Sequence, residues 1–279
     1  MSNSSTSMAF TKMQGAGNDF VVIDNRDESY SLEELVNLCP QLCDRRLGIG
    51  ADGLLALFPS KTEGVDFTMV YRNADGSDAG MCGNGARCLS AFAYHLGFAS
   101  EHKFEINSKV FSAEVSKIES GIFEVTIHFP IETSANKLPN DLFEIYTATE
   151  HVVTFCDKKT LQNEEFLREQ GSKIRYDQER FPKGTNVNFI NGISAEVIEL
   201  QTYERGVENL TLACGTGAIA SAIGWHHKQN EQNPESNTRV QCAGGNLEVS
   251  FKYNAESSVY SDISLKGDAV FVFEGQFYQ

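Results

Sequence analysis

Alternating apolar and polar positions, rich in β-branched and aromatic residues, mark a succession of short strands along this chain. The pattern predicts strands over Phe20–Asp24, Leu54–Phe58, Val65–Arg72, Lys103–Ser108, Phe111–Val115, Ile122–Phe129, His151–Phe155, Asn186–Ile190 and Ala195–Tyr203. Three more are expected over Asn246–Lys252, Val259–Leu265 and Val270–Glu274, where intervening Gly and Asn favour hairpins. Helical spacing covers Leu32–Leu42 (disturbed by Pro40), Gly83–Leu96, Leu161–Glu169 and Gly215–His227. Cys88–Tyr94 and Gly215–Trp225 contain no charged residue. A surface helix would show a polar face there, so these two helices read as surrounded by protein, as if a curved sheet wraps each. Many strands and few helices indicate an α+β fold rather than a doubly wound sheet. The stretch Ile131–Glu144 reads as the main crossing between two halves, with residues 136–141 its most loop-like part.

The two apolar helices share a preface. Cys82-Gly83-Asn84-Gly85-Ala86 and Cys214-Gly215-Thr216-Gly217-Ala218 each lie eleven residues after a tyrosine, Tyr71 and Tyr203. Gly-X-Gly before a helix is by itself often only a tight turn, and a lone buried Cys is usually packing. Recurrence in one context points instead to a duplicated unit with one thiol per half. A thiol at a helix N-terminus sits in a positive field that makes thiolate accessible. The glycines let an anion approach the free N–H groups closely. If both helix ends serve one cavity, an α-amino acid fits them, with its carboxylate on the N–H groups and its Cα between the sulfurs. One thiol would remove a proton from one face of the carbon and the other would return one to the opposite face. Neither a pyridoxal lysine nor a metal is needed for that chemistry.

Composition narrows the class. A chain of 279 residues can bury a sizeable core and is expected to make two domains. A net charge of −15 without a basic run argues against nucleic-acid binding. No apolar run reaches the length of a membrane span. Met1–Ser7 lacks the features of a signal peptide and reads as a disordered tail. The seven cysteines suit a reducing compartment, and their odd number excludes a complete set of internal disulfides. Cys39 and Cys43 read as small buried side chains on a helix rather than as a metal pair.

With these segments in view, the chain resembles the diaminopimelate epimerases over nearly its full length. The resemblance is carried by Gly15–Phe20, Arg46–Gly53, Asn73–Ser77, Met81–Cys88, Gly184–Phe189, Tyr203–Gly206 and Leu212–Gly217, in order. It implies an isomerase, without cofactor or metal, that interconverts L,L- and meso-diaminopimelate for lysine and peptidoglycan precursor synthesis. It implies two pseudo-symmetric α/β halves, each a curved, barrel-like mixed sheet around a central apolar helix, with the site between them. The halves are expected at 1–129 plus 264–279, carrying Cys82, and at 130–263, carrying Cys214. Cys82 and Cys214 would be the two bases, with His151 and Glu204 near them setting their protonation. Gly83, Asn84, Gly215 and Thr216 would hold the carboxylate at the reacting centre. Asn18, Asn73, Thr149, Asn186, Glu204 and Arg205 would contact the rest of the substrate, Arg205 on its distal carboxylate. The implied partners are an amino diacid and a second copy of the chain, in the cytoplasm, with no nucleic acid and no membrane.

Three segments depart from the family pattern. Ala148-Thr149-Glu150-His151 stands for Gly-Asn-Pro-His, Gly53 for a common Gln, and Asn209-Leu210-Thr211 for Gly-Glu-Thr. These bear on the distal end of the substrate rather than on the thiols. The alternatives are a proline or hydroxyproline type racemase or epimerase, and an epimerase relaxed toward other amino diacids. Proline-type enzymes usually carry His where this chain has Asn84, and a ring substrate leaves Arg205 without a carboxylate to bind. A thiol redox or metal-binding role is disfavoured by the absence of any Cys-X-X-Cys pair.

Overall fold

The computed structural model describes residues 7–78, 80–229 and 233–278. Of the expected tail Met1–Ser7, residues 1–6 lie outside the described residues, and Ser7 opens the first strand. The chain divides into two compact units, Met1–Ile127 with Asp268–Gln279, and His128–Gly267.

The first stretch of chain forms β1 (Ser7–Gly15), β2 (Asn18–Asp24), α1 (Leu32–Cys43), β3 (Gly53–Pro59), β4 (Phe67–Asn73), α2 (Gly83–His95), β5 (Glu101–Ile106), β6 (Lys109–Glu119) and β7 (Ile122–Phe129). The second forms β8 (Asn136–Leu138), a 3-10 turn at Pro139–Asp141, β9 (Leu142–Tyr146), β10 (Glu150–Phe155), α3 (Lys158–Leu161), α4 (Glu164–Arg175), β11 (Asn186–Ser194), β12 (Val197–Glu204), β13 (Asn209–Thr211), α5 (Gly215–Lys228), β14 (Glu235–Cys242) and β15 (Gly245–Asn254). The last strand, β16 (Val259–Tyr278), pairs through its beginning with β15 and through its end with β1.

Within the first unit the strand order is β1-β2-β3-β4-β5-β6-β7-β16, and β16 pairs back onto β1, so the sheet closes. The second unit repeats the pairing logic. β1–β2, β3–β4 and β5–β6 are antiparallel, as are β9–β10, β11–β12 and β14–β15. β2–β3 and β4–β5 are parallel, as are β10–β11 and β12–β14. A parallel pair cannot be joined by a tight turn, and a helix supplies each crossover: α1 and α2 in one unit, α3 with α4, and α5, in the other. The second helix of each set lies inside its own sheet. α2 packs against β1, β2, β3, β4 and β6, and α5 against β9, β10, β11, β12, β14 and β15. Every residue from Gly83 to Ala93 and from Gly215 to Gly224 is buried. The α+β expectation of two similar halves, each a curved mixed sheet around a central apolar helix, holds.

α1 covers the outside of the first sheet. Its Leu35, Cys39, Leu42 and Cys43 cluster with Val21, Ile23, Leu54 and Ala56. Alternation then turns Val22 and Leu55 to the opposite face, where α2 lies, which is why β2 and β3 read as unbroken apolar runs. Cys39 and Cys43 are thus packing residues, and burial pushes their thiols up to about 11 and about 12.

Several local expectations are corrected. The helix expected over Leu32–Leu42 runs one residue further, to Cys43, through Pro40 and from a Ser31–Glu34 capping box. Val259–Leu265 and Val270–Glu274 are one strand, because β15 and β1 supply successive partners across Gly267-Asp268. The helix expected at Leu161–Glu169 is two, α3 and α4. The stretch Ile131–Glu144 is not a bare crossing: Thr133 bridges Tyr260, and β8, the 3-10 turn and the start of β9 follow. β1, β8, β9, β13 and β14 were not expected.

Candidate active site

The two cysteine motifs fold into one backbone form. Cys82 is the N-cap of α2 with φ −118° and ψ 117°, and Cys214 is the N-cap of α5 with φ −122° and ψ 113°. In each, the cysteine carbonyl accepts from the N–H four residues on, Ala86 or Ala218, at 2.8 Å. Neither thiol is part of a disulfide. The first turn of each helix leaves N–H groups without an intrahelical partner at a positive dipole end, a ready site for an anion.

Around Cys82 the neighbours come from the first unit. Cys82 Sγ accepts from Gly85 N at 3.4 Å and lies 3.7 Å from Asn18 Oδ1, toward which the thiol donates. Asn18 donates through Nδ2 to Asp52 at 2.7 Å, which turns its carbonyl oxygen to Cys82 and to Asn84 Nδ2. Asp52 in turn accepts from Arg45, which also holds Asp19. The buried Lys12 bonds Asp19 and the carbonyl of Gly50. Burial alone would raise the Asp19 carboxyl, but hydrogen bonds from Arg45 and Lys12 hold it down to about 2. Asn84 is buried, and Arg87, fully buried one turn into α2, donates to its Oδ1 at 3.0 Å and to the carbonyls of Gly83 and Asp268. Asn73, at the end of β4, directs its amide to Ser77 Oγ at 3.0 Å, inside its own turn.

Around Cys214 the support is a neutral, buried network. Cys214 Sγ lies 3.6 Å from Thr216 Oγ1, and the Thr216 carbonyl accepts from Thr147 Oγ1. His151, wholly buried on β10, sets its Nε2 3.0 Å from Thr216 Oγ1 and 2.9 Å from Thr149 Oγ1. Burial, then the positive charge of Arg205, pushes the His151 imidazole down to about 3, so it is neutral at ordinary pH. Asn186 accepts from Arg205 N and donates to Glu150 O and, at 3.4 Å, to Thr149 Oγ1. Arg205 donates to Glu150 at 3.0 Å and to Lys183 O at 2.9 Å. Glu204 ends β12, and its carbonyl accepts from Glu208 N.

The structure therefore brings Asn18, Cys82, Gly83 and Asn84 together in one unit, and Thr149, His151, Asn186, Arg205, Cys214, Gly215 and Thr216 in the other. Sequence reasoning missed Asp52, Arg87, Asn188, Thr202 and Glu150 as their supports. The departure at Gly53 has a steric counterpart, since a Cβ there would lie 2.5 Å from Arg72 O and 2.7 Å from the Tyr71 ring. Among the described residues no group of three or more His, Cys, Asp or Glu could hold a metal ion. None of their helices is long and apolar enough to cross a membrane.

Comparison with known proteins follows the same lines. The diaminopimelate epimerase family model matches residues 10–119 and 143–272. A diaminopimelate epimerase of Flavobacterium psychrophilum is 40% identical over 278 residues, 96% of this chain and 99% of the relative. One from Chlorobaculum tepidum is 37% identical over 94% of this chain and 98% of its own length. Among solved structures, a hydroxyproline epimerase from Agrobacterium vitis with bound trans-4-hydroxy-L-proline aligns with a TM-score of 0.71 at 14% identity, covering 97% of this chain and 91% of that one. A PhzF-family phenazine biosynthesis protein from Bacillus anthracis aligns with a TM-score of 0.70 at 14% identity, over 98% and 100%. At that identity the structural likeness speaks for the fold alone. The sequence matches span both cysteine motifs and nearly the whole chain, and this protein belongs to the diaminopimelate epimerase family.

Proposed function

We propose that this protein interconverts L,L- and meso-diaminopimelate by two-base proton transfer at Cα between Cys82 and Cys214, without a cofactor. The observation that carries the reading is the matched pair of cysteine N-caps. Each presents a sulfur beside the N–H groups of a helix's first turn, and such groups stabilise the charge that enters a carboxylate when its α-proton leaves. The first-turn residues Gly83, Asn84, Gly215 and Thr216 bind that carboxylate. Asn18 accepts from the Cys82 thiol, which suits Cys82 to hold a proton for delivery. His151 and Glu204 govern protonation on the other side, with Asn73, Thr149 and Asn186 on the substrate's polar groups. Arg205 takes the distal carboxylate and must exchange its Glu150 partner to do so. The halves that carry the thiols are 1–129 with 264–279, and 130–263. Service in lysine and peptidoglycan precursor synthesis, a homodimer and a cytoplasmic location belong to the same reading and rest on family membership.

The test is deuterium uptake at Cα of L,L- and meso-diaminopimelate in heavy water, with proline and glutamate as controls. Uptake confined to diaminopimelate is expected. Faster uptake by proline would move the protein to the ring-substrate class, and comparable uptake by glutamate would mean a relaxed distal pocket.

A further inference from the structure

Behind His151 lies a residue that the reading above leaves unused. Asn188, on β11, is fully buried. Its Nδ2 donates to Val152 O at 3.0 Å and lies 3.1 Å from His151 Nδ1. Its Oδ1 accepts from Thr202 Oγ1, also buried, at 2.9 Å. The amide can stand only one way round. A flip would set its oxygen against the Val152 carbonyl, leaving two acceptors face to face without water. The NH2 group therefore faces Val152 O, and its second hydrogen points at His151 Nδ1. That nitrogen must be the unprotonated one, so the single ring proton sits on Nε2. Nε2–H then points at the hydroxyls of Thr149 and Thr216. A hydroxyl that accepts from it keeps its own hydrogen for another acceptor, and for Thr216 the sulfur of Cys214 stands 3.6 Å away.

We propose that Asn188 is a positioning residue: by fixing His151 as the Nε2–H tautomer it makes the Thr216 hydroxyl a donor toward Cys214 Sγ, steadying that sulfur as thiolate. The chain runs Thr202, Asn188, His151, Thr216, Cys214, with every hydrogen bond pointing toward the thiol. No proton needs to travel along it. Its catalytic meaning rests on Cys214 being one of the two bases, whereas the tautomer stands independently of any activity.

The first experiment needs no variant. In protein labelled with 15N-histidine, long-range proton–nitrogen correlation spectra separate protonated from unprotonated ring nitrogens, and the His151→Gln spectrum assigns the His151 signals by loss. An unprotonated Nδ1 with a protonated Nε2 is expected, and the reverse tautomer overturns the proposal. Asn188→Leu, which keeps the volume and removes the amide, should give a mixture of tautomers. It should also lower kcat about tenfold or more with KM held within about twofold. Thr202→Val should do the same more weakly, and it serves if Asn188→Leu does not fold. The decisive kinetic result is non-additivity: in a Thr216→Val background Asn188→Leu should cost almost nothing further, and Thr216→Ser should restore its effect. Additive losses would mean that Asn188 acts by packing alone. If the wild type exchanges no α-proton from diaminopimelate, the spectra still decide the tautomer, and only the link to catalysis falls.

Discussion

The N-termini of α2 and α5 share dihedral angles to within a few degrees yet stand in opposite chemical surroundings. At α2 the thiol accepts a backbone N–H and faces an amide oxygen, and behind it stand ions: Asp52, Arg45, Asp19, Lys12 and the buried Arg87. At α5 no side chain caps the helix. The thiol faces a hydroxyl, backed by neutral His, Asn and Thr, and Ile219 stands where the first motif has Arg87. Backbone form and partner chemistry thus vary separately. The duplicated backbone supplies N–H groups that any carboxylate would accept. On the proposed two-base reading, the unlike partners suit one sulfur to hold a proton and the other to lose it.

The largest effect should come from removing the sulfurs. Cys82→Ala and Cys214→Ala should each abolish epimerisation with circular dichroism unchanged, and near-normal turnover in either would reject the two-base reading. Cys88 and Cys156 are thiols raised by burial to about 12 and about 11, and alanine at either should leave activity in place. Next in size are the second glycines of the motifs. A Cβ on Gly217 would lie 2.5 Å from Asn188 Oδ1 and 3.2 Å from Cys214 Sγ, whereas on Gly85 the nearest atom is the flexible Leu55 Cδ2 at 3.1 Å. Gly217→Ala should therefore cost most of the activity and about 1–3 kcal/mol of stability by overpacking, read from urea midpoints. Gly85→Ala should cost clearly less, and equal losses would mean the two turns are equally crowded.

The same contrast explains what the chain discloses on reading. The thiols, the glycines and the two apolar helices are legible because the motif is repeated and local. Their supports are not. Asn188 gains its meaning only when β10 and β12 flank β11, although Asn186 and Asn188 at alternate positions of an apolar run are a visible signal. Glu150 meets Arg205 across 55 residues of sequence. β1 escapes notice because Lys12 is buried within it, a charge that Asp19 and the Gly50 carbonyl make tolerable. β14 reads as polar because only Thr238 and Val240 of its residues are buried.

A smaller effect should sharpen the distal end. Arg205→Lys keeps the charge but loses the planar fork, and should lower kcat/KM for diaminopimelate about tenfold or more. Glu150→Gln removes the carboxylate that occupies Arg205, so KM for diaminopimelate should fall. A rise in KM would show instead that Glu150 orients Arg205 for the substrate.

A final contrast separates the units by acid, in stability rather than in turnover. Asp19 has its carboxyl lowered from 3.8 to about 2, so its ion pairs contribute stability that is present above the ordinary carboxylate value and is lost as pH falls through about 2. His151 works in a higher window. Its imidazole is lowered from 6.5 to about 3, so between these values the unfolded chain binds a proton that the folded chain refuses. Stability therefore rises with pH across that window and declines as pH falls below 6.5. The slope from one such group is at most about 1.4 kcal/mol per pH unit. His151→Gln should flatten the pH dependence of the urea midpoint between pH 6.5 and 4 while leaving the steeper loss at lower pH, where Asp19 protonates. Asp19→Asn should do the reverse. An unchanged slope in His151→Gln would mean that His151 is protonated in the folded protein, and a protonated Nδ1 cannot face the Asn188 amide nitrogen.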